Sequence, residues 1–180
     1  MLDCGVEQKI AAWNRQKSTM LLIVMALFSL LQWSELKVII QDGGLEKLGR
    51  SADQQQKYRK FRDELTCEWK SLSDYVLVTK LGVTEIHSDC RRRAADRSQI
   101  IGSQSIVLRN DFPYNFANDV EHHVLWKLGS SITKDDIDQA LCQLIRDRNA
   151  TDFAYYTNPV GLKSILDIEH CHILVKVQAS

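Results

Sequence analysis

The sequence predicts an α+β fold in which an N-terminal helical layer packs on a small antiparallel β-sheet. In the first half, apolar side chains recur at helical spacing behind residues that cap helices well. In the second half, runs rich in β-branched and aromatic residues alternate with turn sequences. Because the helices and strands are largely separated along the chain, they favour α+β over a parallel α/β arrangement.

Composition limits the class of protein. The chain has 180 residues, of which 44% are hydrophobic, enough for a single sizeable core. We expect one domain over residues 33–180, preceded by an extension over residues 1–32. Lys and Arg together number 23, as do Asp and Glu, so no overall field attracts nucleic acid and no nucleic-acid partner is expected. The five cysteines include no C-x-x-C pair, which indicates reduced thiols and a cytoplasmic location.

The N-terminal extension contains an apolar run that begins at Met20 and ends at Leu31. It is too short to span a bilayer, which takes roughly 20 apolar residues. Its length suits the core of a signal peptide, but no small-x-small cleavage site follows it. Three interpretations stay open: a buried or partner-facing helix, a cleaved signal, and an anchor that contacts a membrane. The anchor is the alternative to a purely cytoplasmic location.

Three helices are predicted in the first half. One begins near Trp33 and ends at the Gly43-Gly44 pair. The next begins at a capping-box pattern, Ser51 to Gln54, and runs to about Lys70. Its apolar stripe consists of Tyr58, Phe61, Leu65 and Trp69. A third, residues 74–81 behind Ser71 or Ser73, is closed by Gly82.

Between residues 85 and 102 the apolar periodicity is lost, and residues 90–97 contain four arginines, which indicates a solvated or partner-facing loop.

The second half reads as strands around one helix. Strands are expected at residues 104–109, 120–126, 152–158 and 169–177, and the turn-forming residues 110–114 separate the first two. Thr133 caps the intervening helix, in which two acids in the first turn suit the helix dipole. Its predicted buried stripe consists of Ile137, Leu141, Leu144 and Ile145.

Four of the five histidines lie on predicted strands: His122, His123, His170 and His172. In the last strand, alternation turns one set of side chains into the core, namely Cys171, Ile173, Val175 and Val177. It turns His170, His172 and Lys176 to the other face. A sheet that placed the histidines together would form a site.

Several blocks of the sequence resemble a known family. The blocks are residues 45–51, 110–114, 121–126 and 170–175, together with Asn158-Pro159 and Lys163-Ser164. In this order, from Trp33 to Val177, the chain resembles the N-acetylglucosamine-induced protein family. The resemblance implies a link to amino-sugar or sugar-phosphate metabolism. It implies no reaction, so no catalytic residue is carried over, and residues 1–32 lie outside it.

One interpretation of the histidines is a zinc site. Two imidazoles at alternate positions of one strand, His170 and His172, can converge with a third from a neighbouring strand on one tetrahedral ion. The third ligand would be His122 or His123, because adjacent strand residues face opposite sides. Asp111 would be a fourth ligand or would orient a ligating histidine.

A second interpretation is catalytic, because the order of elements is similar to that of the histidine-triad hydrolases and transferases. In that comparison His170 or His172 is the nucleophile, and Asn158, Lys163 and Ser164 bind phosphate. The chain departs from the pattern at Leu174, where a third triad histidine would stand. Metal ligation or simple binding is therefore preferred to nucleophilic attack.

A third interpretation is that the histidines are structural. We expect instead a pocket between the 110–114 turn and the histidine strands that binds a polar small molecule, either a sugar or a phosphorylated compound. Its expected ligand contacts are Asn110, Asp111, Tyr114, Trp126, Asn158, Lys163 and Ser164. The competing hypothesis is a non-enzymatic interaction protein that binds a partner through residues 45–69 and the arginine loop.

Overall fold

The computed structural model describes residues 30–95 and 103–178. A compact unit begins at Leu31. Apart from Leu30 and Leu31, the apolar run that begins at Met20 lies outside the described residues. Within the two described ranges, each helix is either too short or too polar to cross a membrane.

The elements confirm the predicted α+β class. The helices are α1 (Trp33–Gln41), α2 (Ala52–Glu68), α3 (Leu72–Thr79) and α4 (Lys134–Arg148). The strands are β1 (Glu85–Ser88), β2 (Arg91–Ala94), β3 (Gln104–Arg109), β4 (Val120–Leu128), β5 (Ala150–Tyr156) and β6 (Glu169–Val177). Short 3-10 turns at Leu45–Lys47 and Val160–Leu162 complete the described part.

The main sheet has the strand order β3-β4-β6-β5, and every neighbouring pair is antiparallel. Both faces of its two central strands are covered. Cys171, Ile173 and Val175 pack with α4, whereas Leu174 packs with Trp33 and Leu36 of α1 on the other face. The predicted alternation in β6 is therefore present, and it places His170 and His172 on the face of the N-terminal helices.

Ser51 and Thr133 act as the predicted N-caps. Ser51 accepts a hydrogen bond from the Gln54 backbone N–H at 3.2 Å, and α2 ends at Glu68, close to the predicted Lys70. Thr133 and Asp136 form a reciprocal capping box at the start of α4. These local interactions were readable from sequence because each satisfies a backbone donor of the first helical turn within a few residues.

The prediction that Ile145 is buried was wrong, since its side chain is 44% exposed. The buried face of α4 is formed by Asp136, Ala140, Leu141 and Leu144. Ile145 follows Leu144 and so lies about 100° further round the helix. That rotation takes it past the edge of the stripe that meets the sheet.

The prediction of a loop after Glu85 was also wrong, because β1 and β2 form an antiparallel hairpin. Arg92 donates two hydrogen bonds to the Glu85 carboxylate, at 2.8 and 2.7 Å, and its guanidinium lies 4.1 Å from the Trp69 ring centre. The hairpin is held by a forked ion pair and by stacking on a residue from α2's end. Neither contact requires apolar and polar residues to alternate along the strands, so the sequence lacks the pattern from which strands are predicted.

Candidate functional site

A pocket of about 120 Å³ lies between α2, α3 and the helix-covered face of the sheet. Eight of the residues expected at a site line it: Asn110, Asp111, Tyr114, Trp126, Asn158, Ser164, His170 and His172. β4 supplies Trp126, β6 supplies the two histidines, and the segments that follow β3 and β5 supply the others. The antiparallel register places Trp126 opposite His170 and Val124 opposite His172, which aligns these side chains along one face.

Three expected site residues are placed elsewhere. Lys163 does not line the pocket, although its charge helps to lower the pKa of His170 and His172. His122 is buried behind the pocket wall against His172. His123 lies on the opposite face of the sheet, where its Nε2 is 3.0 Å from Glu121 Oε2, and Arg148 also binds that carboxylate.

A buried row of polar groups runs behind the pocket. The Tyr114 backbone N–H donates to His122 Nδ1 at 3.3 Å, and His122 Nε2 lies 2.9 Å from His172 Nδ1. The Asn158 side-chain amide follows, with its Nδ2 3.0 Å from His172 Nε2. Both ring nitrogens of His172 are therefore engaged, so neither is available for a metal or for nucleophilic attack without breaking the row.

His170 has a different environment. Its Nδ1 lies 2.8 Å from the Ile168 carbonyl oxygen. Because a carbonyl can only accept, Nδ1 carries the proton and Nε2 of the neutral ring carries a lone pair. Nε2 has no hydrogen-bond partner within residues 30–95 and 103–178, and the ring packs on Trp126 with centroids 5.1 Å apart. His170 is thus the histidine that can accept a hydrogen bond from a ligand.

Burial keeps the histidines on this face uncharged. Loss of solvation, together with the neighbouring His172 and Arg50, holds the pKa of His122 well below its ordinary value. The same effect, with His170 and Arg50, lowers the pKa of His172 to about 3. The pKa of His170 is also lowered, chiefly by burial. Near neutral pH these rings contribute lone pairs and N–H groups but no positive charge.

The sequence interpretation missed Arg50. Its guanidinium lies 3.9 Å from the Tyr58 ring centre and 5.3 Å from that of Tyr114, and its Nε donates to the Phe112 carbonyl at 3.1 Å. Arg50 falls in the 45–51 block that carries the family resemblance, but no local pattern separates it from the solvated charges around it. Only the folded chain places it in the pocket wall.

Among the residues that the structure describes, the remaining charged side chains that line the pocket are Lys80, Arg109 and Asp111. Lys80 Nζ binds Asp111 Oδ2 at 2.7 Å, so the one lining carboxylate is paired. The pocket therefore carries three cationic side chains and one acid, which favours an anionic ligand.

The geometry does not assemble the proposed zinc ligands. In the part of the chain that the structure describes, no group of three or more His, Cys, Asp or Glu side chains is placed to hold a metal ion. His123 faces away from the other three histidines, and His122 and His172 are bonded to each other. Leu174 is fully buried opposite His122, at the position where the triad comparison lacks its third histidine.

Comparison with known proteins places this fold and these residues in a family. A family described as "Protein of unknown function (DUF3605)" matches residues 32–176. N-acetylglucosamine-induced protein 1 of Candida albicans is 27% identical over 171 residues, which cover 80% of this chain and 67% of that protein. Uncharacterized protein YPL067C of Saccharomyces cerevisiae is 28% identical over 159 residues, covering 80% and 78% respectively.

A solved structure titled "Crystal Structure of HTC1" has a TM-score of 0.55 over 82% of this chain and 85% of that one. At 24% identity this likeness shows a shared fold alone. The family match over residues 32–176 covers the helices and strands that build the pocket. The chain belongs to the DUF3605 family, as its resemblance to the N-acetylglucosamine-induced proteins predicts.

Proposed function

We propose that this protein binds an anionic small molecule that contains a ring, such as a sugar phosphate, in the pocket between α2, α3 and the sheet. The observation that carries the proposal is the setting of Arg50. Its guanidinium lies against Tyr58 in the pocket wall and pairs with no carboxylate in residues 30–95 and 103–178. Stacking restricts its side chain, and its remaining N–H groups, which have no partner in the described residues, can make forked bonds to phosphate or carboxylate.

The balance of charge supports an anion. Lys80 and Arg109 add positive charge beside Arg50, and the opposing Asp111 already binds Lys80. The neutral histidines neither repel a cation nor attract an anion. An anionic ligand would therefore meet a net positive field that is partly shielded from water, where a charge pair is stronger than in bulk solvent.

The aromatic lining supports a ring in the ligand. Six aromatic side chains border the pocket: Tyr58, Phe61, Tyr75, Phe112, Tyr114 and Trp126. Their faces suit the apolar face of a sugar or a planar base, while Asn110, Asn158 and Ser164 supply directional polar contacts. The name of the Candida albicans relative, N-acetylglucosamine-induced protein 1, makes amino-sugar phosphates the first compounds to test.

His170 supports a second candidate function, transfer of a phosphoryl group. Its Nε2 lone pair would form the bond to phosphorus as the P–O bond to the leaving oxygen breaks, and that oxygen would take a proton from water to leave as the alcohol. Water would then attack the phosphorus and release phosphate, which restores the neutral imidazole. His172 is unsuited to this role because both its nitrogens are bonded. Incubation with a phosphorylated ligand should yield phosphohistidine at position 170, and a His170→Asn protein should yield none.

The hypothesis of a partner bound through the arginine loop has less support. Arg92 already donates hydrogen bonds to Glu85 and stacks on Trp69. Tyr58 and Phe61 of α2, which lie within the 45–69 segment of that hypothesis, line the pocket.

Calorimetric titration of the full chain with glucosamine 6-phosphate, glucosamine and inorganic phosphate tests the proposal. An Arg50→Gln protein should bind the phosphorylated sugar more weakly by about tenfold to a hundredfold, because one charge-assisted hydrogen bond is worth about 1.5–3 kcal/mol. Arg62→Gln is the matched control. Arg62 approaches the same Tyr58 ring at 5.9 Å but does not line the pocket, so its loss should leave affinity unchanged. Equal affinity of the Arg50→Gln and wild-type proteins would overturn the proposed anion contact.

A further inference from the structure

We infer that Asn158 selects the ligand of this pocket by presenting its side-chain N–H groups to a hydrogen-bond acceptor, with its Oδ1 turned back toward His172. The inference rests on the proposed function for the existence of a ligand, but the orientation of Asn158 follows from counting protons along the buried row. An amide has two orientations that differ by a half-turn, and its hydrogen-bond network decides between them.

The Tyr114 backbone sets the first proton position in the row. Its N–H can only donate, and it points at His122 Nδ1 at 3.3 Å. Nδ1 must therefore carry the lone pair. A neutral imidazole has one proton, so that proton is on His122 Nε2.

The Asn110 amide does not disturb this assignment. Its Nδ2 is 3.4 Å from both ring nitrogens of His122. A group equidistant from the two nitrogens is aligned with neither lone pair, because the two lone-pair directions diverge in the ring plane. Its Oδ1 meanwhile accepts from the Phe112 backbone N–H at 3.0 Å.

The proton on His122 Nε2 fixes the next ring. His122 Nε2–H donates to His172 Nδ1 across 2.9 Å, so the proton of His172 is on Nε2. The atom that the structure places 3.0 Å from this N–H is Asn158 Nδ2, which is itself a donor, whereas the N–H needs an acceptor; a half-turn of the amide exchanges Nδ2 for Oδ1 at this position. Only Oδ1 can accept. With Nδ2 in that place, two donors would meet in a buried setting, which leaves both without a partner.

Other protonation states also bring two donors together at some contact in the row. With Nδ2 donating to His172 Nε2, the protons shift along the row until His122 Nδ1–H meets the Tyr114 N–H. An added proton on either ring adds a further donor and worsens the conflict. Burial also opposes that charge, because it lowers the pKa of both rings. The neutral row with Oδ1 toward His172 is the one arrangement in which each contact joins a donor to an acceptor.

The consequence for the ligand is directional. Asn158 is 6% exposed and lines the pocket, so the Nδ2 hydrogens, turned away from His172, are a donor on the pocket side. His170 Nε2 is an acceptor in the same wall. Together with Arg50 they suit a phosphorylated sugar, whose ring or phosphate oxygen accepts from Asn158 and whose hydroxyl donates to His170.

Imidazole ¹⁵N NMR of the wild-type protein without ligand decides the orientation directly. We expect both His122 and His172 to show the Nε2–H tautomer near pH 7, with assignments from His122→Gln and His172→Gln proteins. The Nδ1–H tautomer at His172 would overturn the inference whether or not any ligand binds. Absence of glucosamine 6-phosphate binding by the wild-type protein would instead overturn the proposed function. The tautomer of His172 would still determine the orientation of the Asn158 amide.

An Asn158→Asp protein tests the donor. The carboxylate retains an oxygen that accepts from His172 Nε2–H, so the protein should stay folded, with its circular dichroism spectrum unchanged. It loses the donor and repels phosphate, so its affinity for glucosamine 6-phosphate should fall at least tenfold. Asn118→Asp adds the same charge at an exposed loop position and should bind as the wild type does. Wild-type affinity in Asn158→Asp would overturn the donor role.

Discussion

At the scale of single residues, the pair of Lys127 and Asp136 is buried on the face of the sheet that meets α4. Lys127 Nζ lies 2.5 and 2.6 Å from the two carboxylate oxygens, and both residues are 8% exposed. Asp136 also accepts from the Thr133 backbone N–H at 2.8 Å. Burial by itself raises the pKa of Asp136, but the bonds from Lys127 and Thr133 outweigh it and hold the pKa at about 2.

Replacement of Asp136 by Ala should destabilise the protein by about 3–5 kcal/mol, because it leaves Lys127 charged and buried without a partner and removes part of the α4 cap. Urea unfolding followed by circular dichroism measures the change. Asp138→Ala is the control. Its salt bridge with Lys134 is exposed, so its loss should cost less than about 1 kcal/mol. Equal effects of the two substitutions would contradict a structural role for the buried pair.

At the scale of elements, the hairpin of β1 and β2 turns through two residues with positive φ. Asp89 and Cys90 have φ values of 54° and 62°. Two consecutive left-handed residues are typical of the type I′ turn that suits a two-residue hairpin, where glycine commonly stands second. A residue with a Cβ in the left-handed conformation costs about 1–2 kcal/mol, so Cys90 in this turn lowers the stability of the folded protein.

We therefore expect Cys90→Gly to stabilise the protein by about 0.5–1 kcal/mol, since relief of backbone strain exceeds the added flexibility of the unfolded chain. Cys67→Gly gives the contrast. Cys67 is another exposed cysteine, in the last turn of α2, where glycine should destabilise by about 0.3 kcal/mol because it is a weaker helix former than cysteine. Thermal unfolding of both proteins measures the two effects. A fall in melting temperature for Cys90→Gly would argue against a strained turn.

At the scale of the whole molecule, the buried neutral histidines link stability to pH. In the unfolded chain a histidine has a pKa of about 6.5. In the folded chain the pKa of His172 is about 3, and those of His122 and His170 are also lowered. Below about pH 6.5 the unfolded state therefore binds protons that the folded state does not, which lowers the free energy of unfolding.

Stability should be greatest above about pH 6.5 and fall toward pH 5 with a slope of about 1.4 kcal/mol per pH unit for each such histidine. His172 alone should contribute about 2 kcal/mol over that window. The window ends at pH 5 because Glu121 and Asp136, whose pKa values are about 2, add their own loss of stability at lower pH.

Urea unfolding at pH 7.5, 6.5, 5.8 and 5.0 checks this expectation. In a His172→Phe protein the free energy of unfolding should change less steeply with pH, by the slope that corresponds to about one bound proton, whatever its absolute stability. His87 is exposed on β1, so His87→Gln should retain the full slope. A stability that does not change between pH 7.5 and 5.0 would contradict buried neutral histidines.

The sequence by itself determined the fold class, most of the element boundaries and two helix caps. Helical stripes, strand alternation and caps such as Ser51 and Thr133 depend on residues a few positions apart, and the chain carries these relations wherever it folds. For the same reason alternation in β6 predicted that His170 and His172 share a face. It could not show that both would be buried, or that His122 rather than His123 would join them, because the register against β4 is a property of the paired strands.

The tertiary structure decided the site. Arg50 reaches the pocket by stacking on Tyr58, and the row from Tyr114 to Asn158 joins residues up to 50 positions apart through contacts that no local pattern records. The hairpin was missed for the same reason, since Arg92 is held by Glu85 and Trp69 and leaves no apolar alternation. Charge, tautomer and lone pair depend on which groups surround a ring after water is excluded, and only folding sets those surroundings.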